Sequence, residues 1–300
     1  MKYAITIGSY DGVHLGHRSI LDSLKKYSVA HNTRTAVIYF PIPPKLYLTQ
    51  SYINNLITTE KERKALITGY GIDFAFPLEF NENIHMMHAD DFFNNFILKK
   101  YSLEFIAVGR DFSIGYNREG NHEWLQKICK KNKIGCEIVE SVKYNEHKIS
   151  SSLIRTFLHH SRIKEANLCL GENYSITGTV VRGKGMGRKL GFPTANLSVD
   201  KHKILPKGVF AAKVLLNNKI LNAVVNIGTG PTIRTRDEQT LITEVHILDF
   251  NEEIYNSELK VLLIDKIRQE IKFSSTETLI SYIKSDINKA REIISVNISS

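Results

Sequence analysis

The 300-residue chain is predicted to fold as two domains, an α/β domain with a parallel sheet and then a small antiparallel barrel or sandwich ending in a helix. Three observations predict it. Up to about residue 170, apolar strand-like runs alternate with segments of helical periodicity, the rhythm of a parallel sheet with helices on both faces. From about Gly171 the texture changes to short β-rich runs separated by glycine, proline and asparagine turns. The final segment, roughly 275 to 295, places Leu279, Ile283, Ile287 and Ile294 on one helical stripe.

Taken in order, KYAITIG opens as a strand, and a helix from about His17 sets Ile20, Leu21, Leu24 and Tyr27 on one face. TAVIYF is the next strand. TEKERKALITGYG is helical with Thr59 as its cap, and IDFAFPL, helical ADDFFNNFILKKY, strand LEFIAVG, a helix around NHEWLQKICKKN and strand GCEIVES follow. The helical stretch SSLIRTFLHHSRIKEANLCLG closes this half, so the boundary is expected between residues 172 and 173, giving domains 1–172 and 173–300. ITGTVV, GVFAAKVLL, KILNAVVNIG and LITEVHILDF read as strands of the second domain.

A 42% hydrophobic and 24% charged composition supports packed cores and argues against general disorder. No run reaches the apolar length of a membrane span and the N-terminus has no basic and apolar leader, so a cytoplasmic protein is expected. Cys129, Cys136 and Cys169 match no zinc or disulfide spacing and read as reduced thiols. The net charge of +9 favours anionic partners. KICKKNK at 127 to 133 reads as a solvated helix face with no nucleic-acid-binding motif beside it, so small phosphorylated substrates are expected, with no nucleic acid, no membrane, and a monomer or weak homo-oligomer.

GSYDGVHLGH, residues 8 to 17, follows the first strand directly. Glycines at 8, 12 and 16 let backbone approach a ligand, and a helix starting near Gly16 aims its free amides and positive dipole end at the same place, which suits a phosphate. His14 and His17 are then placed to stabilise charge as a bond to pyrophosphate breaks. As a zinc site the pair lacks further ligands of suitable spacing. The stretch resembles the HxGH signature of the nucleotidyltransferase superfamily in its bacterial FAD synthetase form, and VGRDFSIGYNREGN (108–121) and ISSSLIR (149–155) resemble that family's later motifs in the same order. The resemblance implies a Rossmann-like domain in which Gly8, Tyr10, Asp11 and Gly16 belong to the ATP site with His14 and His17 as catalytic groups. Ser151, Ser152 and Arg155 would hold ATP phosphates, and Asp111 would help shape the flavin site. The serines also suit a helix cap, which uses the same helix end. FPIPPKL at 40 to 46 lacks the histidine of a PHP element, Tyr10 replaces the usual Phe, and Ile114 stands at another common Phe position.

GTVVRGKG at 178 to 185 nearly spells a P-loop, but Gly185 stands where Ser or Thr must bind magnesium and β-rich sequence follows. In the next stretch Thr194 and Asn196 lie two apart in an extended segment, so their oxygens can project to one side toward a cation, for which magnesium bound to ATP is the natural candidate, while in isolation the same residues suit a Pro-Thr turn with Asn satisfying backbone groups. In ITEVHIL, Glu244 shares a face with His246, an arrangement that suits a cross-strand charge as well as a base. GMGRKLGFPTANL, VVNIG, TEVHILDF and IRQEIKF in succession resemble the riboflavin kinase family. That resemblance implies a β-barrel in which Gly183, Lys184, Gly185 and Gly187 form a flap over ATP phosphates, Thr194 and Asn196 bind Mg²⁺ with ATP, Glu244 is the base, and Arg268 contacts the flavin. Gly230 replaces a common arginine, and Asn256 replaces the glycine of a DLYG-like turn. Together the two resemblances imply a bifunctional flavin-cofactor enzyme: ATP and riboflavin give FMN, and FMN with a second ATP gives FAD and pyrophosphate.

Overall fold

A computed structural model describes residues 1–183, 185–229 and 241–296. The chain divides into two compact units, Met1–Leu153 and Ile154–Ser300. This division and the one expected from sequence differ in the segment 154–172.

In the first unit, β1 (Lys2–Gly8), α1 (Leu15–His31), β2 (Arg34–Tyr39), α2 (Pro44–Leu48), α3 (Glu60–Gly69) and β3 (Phe74–Pro77) come first. Short α4 (Glu82–His85) and α5 (Ala89–Phe92) lead into a π-helical turn, Phe93–Leu98, and then β4 (Ser102–Gly109), β5 (Ser113–Ile114), β6 (Gly120–Asn121), α6 (His122–Lys131), β7 (Gly135–Val139), β8 (Lys143–Tyr144) and β9 (His147–Lys148). Strands pair in the order β3-β2-β1-β4-β7, all parallel. The order reverses between β1 and β4, so the crevice where parallel sheets take ligands opens beyond their carboxyl ends. GSYDGVHLGH leaves β1 there and GRDF leaves β4 there.

The alternation of β1 supplies both cores: Ala4 packs with Leu21, Leu24 and Ala107, whereas Ile5 and Ile7 face Phe92, Phe93, Leu125 and Cys129. Leu21 and Leu24 are fully buried, each contributing roughly 1.5–3 kcal/mol by transfer from water. Thr59 caps α3 through a reciprocal box with Glu62, as its position predicts. α1 begins at Leu15, two residues before the periodicity suggests, because His14 caps it. The segment 89–101, read as a regular helix, is one α turn followed by the π turn.

α7 (Ser151–His159) begins at the end of the first unit. The second contains α8 (Ile163–Leu170), β10 (Tyr174–Val181), α9 (Met186–Lys189), β11 (Ala195–Val199), β12 (Gly208–Leu216), β13 (Lys219–Thr229), β14 (Leu241–Ile247), β15 (Glu258–Arg268) and α10 (Thr276–Val296). The six strands form a closed barrel, which removes the sandwich alternative and leaves no open sheet edge. Asn167 on α8 ties the barrel by donating to the Leu263 carbonyl (2.9 Å) and accepting from the Tyr174 amide (2.7 Å). Two strands exceed the periodic runs named above. β11 is too short to stand out, and β15 loses its alternation at Leu263 and Ile264, because one faces the barrel interior and the other lies under α10. Ala290 and Ile294 of α10 pack on Ala211 and Ile264, covering part of the outer barrel face.

Candidate active sites

The loop after β1 is held in a conformation its residues rarely choose. Tyr10, Gly12 and Val13 all have positive φ (50°, 91° and 41°), and for β-branched Val13 this is a costly region that surrounding structure must impose. The Val13 amide donates to the Tyr10 carbonyl (3.1 Å), Arg18 Nε donates to the Val13 carbonyl (3.1 Å), and the Tyr10 hydroxyl pairs with Thr6 Oγ1 (2.7 Å). Burial pushes the Tyr10 phenol well above its usual range, so it stays neutral. His14 and His17 are brought together with rings stacked 3.6 Å apart at 17°, and Tyr10 lies 4.7 Å from His17. The His17 amide donates to His14 Nδ1 (3.3 Å), which leaves the neutral imidazole's proton on Nε2. A Cβ on Gly16 would sit 3.2 Å from the His14 ring, so glycine there makes room for this stack.

Asp11 does not project into the crevice. Its carboxylate is fully buried and accepts from the Ile57 amide (3.1 Å), the Thr58 amide and hydroxyl (2.9 Å each) and Arg63 Nη2 (3.0 Å). Arg63, also fully buried, reaches the carbonyls of Ser9 (3.0 Å), Phe40 (2.6 Å) and Pro41 (3.1 Å). One guanidinium thus joins the loop after β1, the FPIPP segment after β2 and the start of α3, and the FPIPP segment is held through its backbone rather than by a histidine.

Ser151 Oγ donates to the Asp11 carbonyl (2.9 Å), tying the start of α7 to the same loop, while Ser150 Oγ accepts from the Leu153 amide and serves as the cap. Ser152 is exposed on the first turn and Arg155 follows on the second. Asp111, beyond β4, pairs with Lys148 of β9 at 2.6 Å. Burial raises its carboxyl, but the Lys148 ammonium holds it below the usual range. Phe40, Tyr47, Phe80, His85 and Tyr116 form a chain of edge contacts beyond β2 and β3, each pair 5.4 to 6.2 Å apart.

In the barrel, register does what the linear sequence conceals. Asn196 of β11 pairs with Glu244 of β14, and Glu244 pairs on its other side with Asn226 of β13. Directly opposed residues share a face, and the neighbours Leu197, Thr243, Val245, Val225 and Ile227 are buried inside, so the three polar side chains stand together on the outer face. Thr194 directly precedes β11. His246 fixes this approach: its Nδ1 lies 2.8 Å from the Pro193 carbonyl, its ring edge packs at 6.0 Å on Phe192, and the contact requires a proton on Nδ1. A Cβ on Gly183 would overlap the Asn196 amide, and one on Gly187 would overlap the Phe192 carbonyl and come within 3.1 Å of Thr194 Oγ1. Gly185 has φ +69°. Lys184 and Gly230 lie outside the described residues. Asn256 has φ +63°, a conformation asparagine tolerates and glycine adopts freely, which suits the glycine that the resemblance implies at this turn.

A cleft of about 460 Å³ is lined by Val180, Thr194, Val245, Ile247, Glu253 and Tyr255 among others, a size within the range of ordinary ligand sites. Arg268 is bound within the protein. Its Nε and Nη2 grip Asp286 of α10 at 3.0 and 2.7 Å, and its guanidinium lies 5.6 and 5.5 Å from the Phe273 and Tyr282 rings.

A FAD synthetase family model matches residues 1–153 and a Riboflavin kinase family model matches residues 170–294. The curated Bifunctional riboflavin kinase/FMN adenylyltransferase of Buchnera aphidicola from Schizaphis graminum is 36% identical over 286 residues, covering 95% of this chain and 91% of that one. The chain belongs to the bifunctional riboflavin kinase/FMN adenylyltransferase family. The proteins of that name from Escherichia coli K12 (35% identical, 96% of this chain and 91% of that one) and Bacillus subtilis (32%, 96% and 92%) cover it equally fully. A solved structure named as a macrolide-efflux protein from Streptococcus pneumoniae superposes with a TM-score of 0.85 at 29% identity, covering 97% of this chain and 94% of its own. That name describes efflux, whereas both family models and these curated relatives name flavin enzymes. Among the described residues no helix is long and apolar enough to cross a membrane.

Within this family frame, sequence motifs alone pass over Arg63, His246 and Asn226. Arg63 sits in the charged run EKERK and looks like helix surface. Only the capping box at Thr59, which sets the phase of α3, hints that its side chain points inward.

Proposed function

We propose that the chain phosphorylates riboflavin to FMN with ATP in residues 173–300 and adenylylates FMN to FAD with a second ATP in residues 1–172, releasing pyrophosphate. The observation that carries this reading is that each half matches its own family and contains its own built polar site, His14 stacked on His17 in one and Asn196 beside Glu244 in the other.

In the kinase half, the Glu244 carboxylate takes the proton of the terminal ribityl hydroxyl as that oxygen attacks the γ-phosphorus of ATP. The bond from the γ-phosphorus to the bridging oxygen breaks, and its electrons leave with ADP. The cleft beside Thr194 receives the nucleotide, its apolar wall of Val180, Val245 and Ile247 suiting an adenine ring. Thr194 and Asn196 offer hard oxygen donors, and close glycines at 183 and 187 fix where they stand, so the pair fits Mg²⁺. Among the described residues no group of three His, Cys, Asp or Glu could hold a metal ion, and Mg²⁺ carried in by ATP would need no more from the protein than the Thr194 and Asn196 oxygens. Bound there, Mg²⁺ neutralises phosphate charge.

In the transferase half, an FMN phosphate oxygen attacks the α-phosphorus of ATP and pyrophosphate leaves. His14, with its proton on Nε2, and His17 donate to the phosphate oxygens as charge builds, and the amide end of α1 adds to the same field. Ser151, Ser152 and Arg155 hold the polyphosphate, while Asp11 acts on the loop's shape. Asp111 and the aromatic chain from Phe40 to Tyr116 border the flavin. The expected setting is the cytoplasm, as a monomer or weak homo-oligomer. Incubation of the pure protein with ATP, Mg²⁺ and either riboflavin or FMN, followed by chromatography, tests both halves. FMN formed without any FAD from added FMN removes the transferase assignment, and the converse removes the kinase.

A further inference from the structure

We propose that Asn226 is a substrate-binding residue of the kinase site, holding the polyol arm of the flavin on the side of Glu244 opposite Asn196. The inference rests on the kinase reading above. Strand register makes Glu244 the middle of a three-residue row, with Asn196 across one strand gap and Asn226 across the other, each at the roughly 4.5–5.5 Å Cβ spacing of directly opposed strand residues. A group that reaches Glu244 to surrender a proton therefore lies within contact of Asn226.

The surroundings narrow what Asn226 is for. Its neighbours along β13, Val225 and Ile227, point into the apolar barrel interior, while on its own outer face Val224 packs with the residues beneath α10 and Gly228 lies against the Glu270 carboxylate. Asn226 is half-buried between them. Among the described residues none of the Asn196, Glu244 and Asn226 side chains has a hydrogen-bond partner. Half-buried polar groups without protein partners are satisfied by water or ligand.

Chemistry selects the ligand. A carboxamide donates through Nδ2 and accepts through Oδ1 at once, and each hydroxyl of a polyol needs both. Beyond Asn226 the row changes character: across the next gap stands Val209, buried and apolar, and across the one after it Arg268, flanked by Phe273 and Tyr282. Polar at Glu244 and Asn226, apolar at Val209 and then lined by the Phe273 and Tyr282 rings that flank Arg268, the row matches a molecule with a hydroxylated arm joined to an aromatic plane. Polyphosphate belongs at the other end, where Thr194 and Asn196 stand.

The test is steady-state riboflavin phosphorylation by the full-length chain and its Asn226→Ala, Asn226→Ser and Asn226→Asp variants, with riboflavin fluorescence titration in the presence of MgADP. Asn226→Ala should raise the riboflavin KM and Kd about tenfold, the scale of one lost net hydrogen bond, with the ATP KM within about twofold of the parent. Asn226→Ser should recover part of the loss. Asn226→Asp, nearly isosteric, should be worse than Ala because it sets a second anion beside Glu244 and the γ-phosphate under attack. Thermal melts accompany each variant, and if Ala melts early the Ser and Asp pair carries the comparison. An unchanged riboflavin KM, or a rise confined to ATP, overturns the proposal. Glu244→Gln separates the two levels: retained activity there defeats the kinase reading, whereas its loss beside a normal Asn226→Ala defeats this inference alone.

Discussion

Arg63 and Asp11 form an ion pair at 3.0 Å in which both side chains are completely excluded from solvent. A buried pair contributes little net stability against a hydrophobic replacement, yet removing one partner strands the other. Here the pair also saturates neighbouring groups: besides Asp11, the guanidinium serves Thr58 and the carbonyls of Ser9, Phe40 and Pro41. It fixes the mutual position of three segments that border one crevice.

Arg63→Leu is therefore expected to destabilise the first unit by about 3–5 kcal/mol and to abolish FAD formation. Arg63→Lys keeps the charge but cannot reproduce the fork, so an intermediate loss is expected. Calorimetric melting together with FAD formation from FMN measures both. A normal melt and normal turnover in Arg63→Leu would remove the anchoring role.

His14 does two jobs that substitution can separate. His14→Ala loses both the α1 cap and the imidazole. His14→Asn keeps a good cap, restoring the roughly 1 kcal/mol that capping supplies. FAD formation should fall by about 10²–10⁴-fold in both, as for loss of a charge-stabilising donor, while stability falls only in His14→Ala and riboflavin phosphorylation stays normal in both. If the Asn variant recovers turnover along with stability, the histidine is a cap and nothing more.

Gly187→Ala should impair the kinase selectively. The new methyl group would overlap the Phe192 carbonyl and crowd Thr194 Oγ1, displacing the approach to β11. FMN formation should drop at least about tenfold, in line with the sensitivity of phosphoryl transfer to misplacement, with FAD formation from supplied FMN unchanged. Equal kinase activity in parent and variant would show that the Thr194 position is not critical.

Asp73 predicts a pH effect. Burial raises its carboxyl, but the Thr35 amide and hydroxyl (2.8 Å each) and Arg34 (2.7 Å) outweigh this and hold it below the usual value. Its stabilisation is thus complete above the unfolded-state value, about 3.9, and disappears as pH falls through the lower folded-state value. Asp73→Asn should cost about 1–3 kcal/mol at neutral pH, and the difference from the parent should shrink in denaturant melts below about pH 4. A gap independent of pH would assign the cost to packing.

Much of this was legible in the chain because it is local. The βα rhythm, the Thr59 cap and the stripe on the last helix each depend on residues within a few turns of one another. The phosphate-suited loop at 8 to 17 and the Thr194–Asn196 pair are likewise contiguous. Arg63 was not legible, since a charge in EKERK looks solvated until three distant carbonyls close around it. Arg268 shows the same long-range effect: the motif suggests a flavin contact, and the grip of Asp286 from the final helix on its fork has no trace in the local sequence.

By itself the sequence determined the two-domain order, the alternation that builds a parallel sheet, and the short motifs that lie within single loops, because periodicity and turn chemistry act over neighbouring residues. Only the tertiary structure decided that residues 196, 226 and 244 form one row and that residues 11, 40 and 63 form one anchor. Those groupings come from strand register and barrel closure, which bring together segments tens of residues apart and leave no periodic trace along the chain.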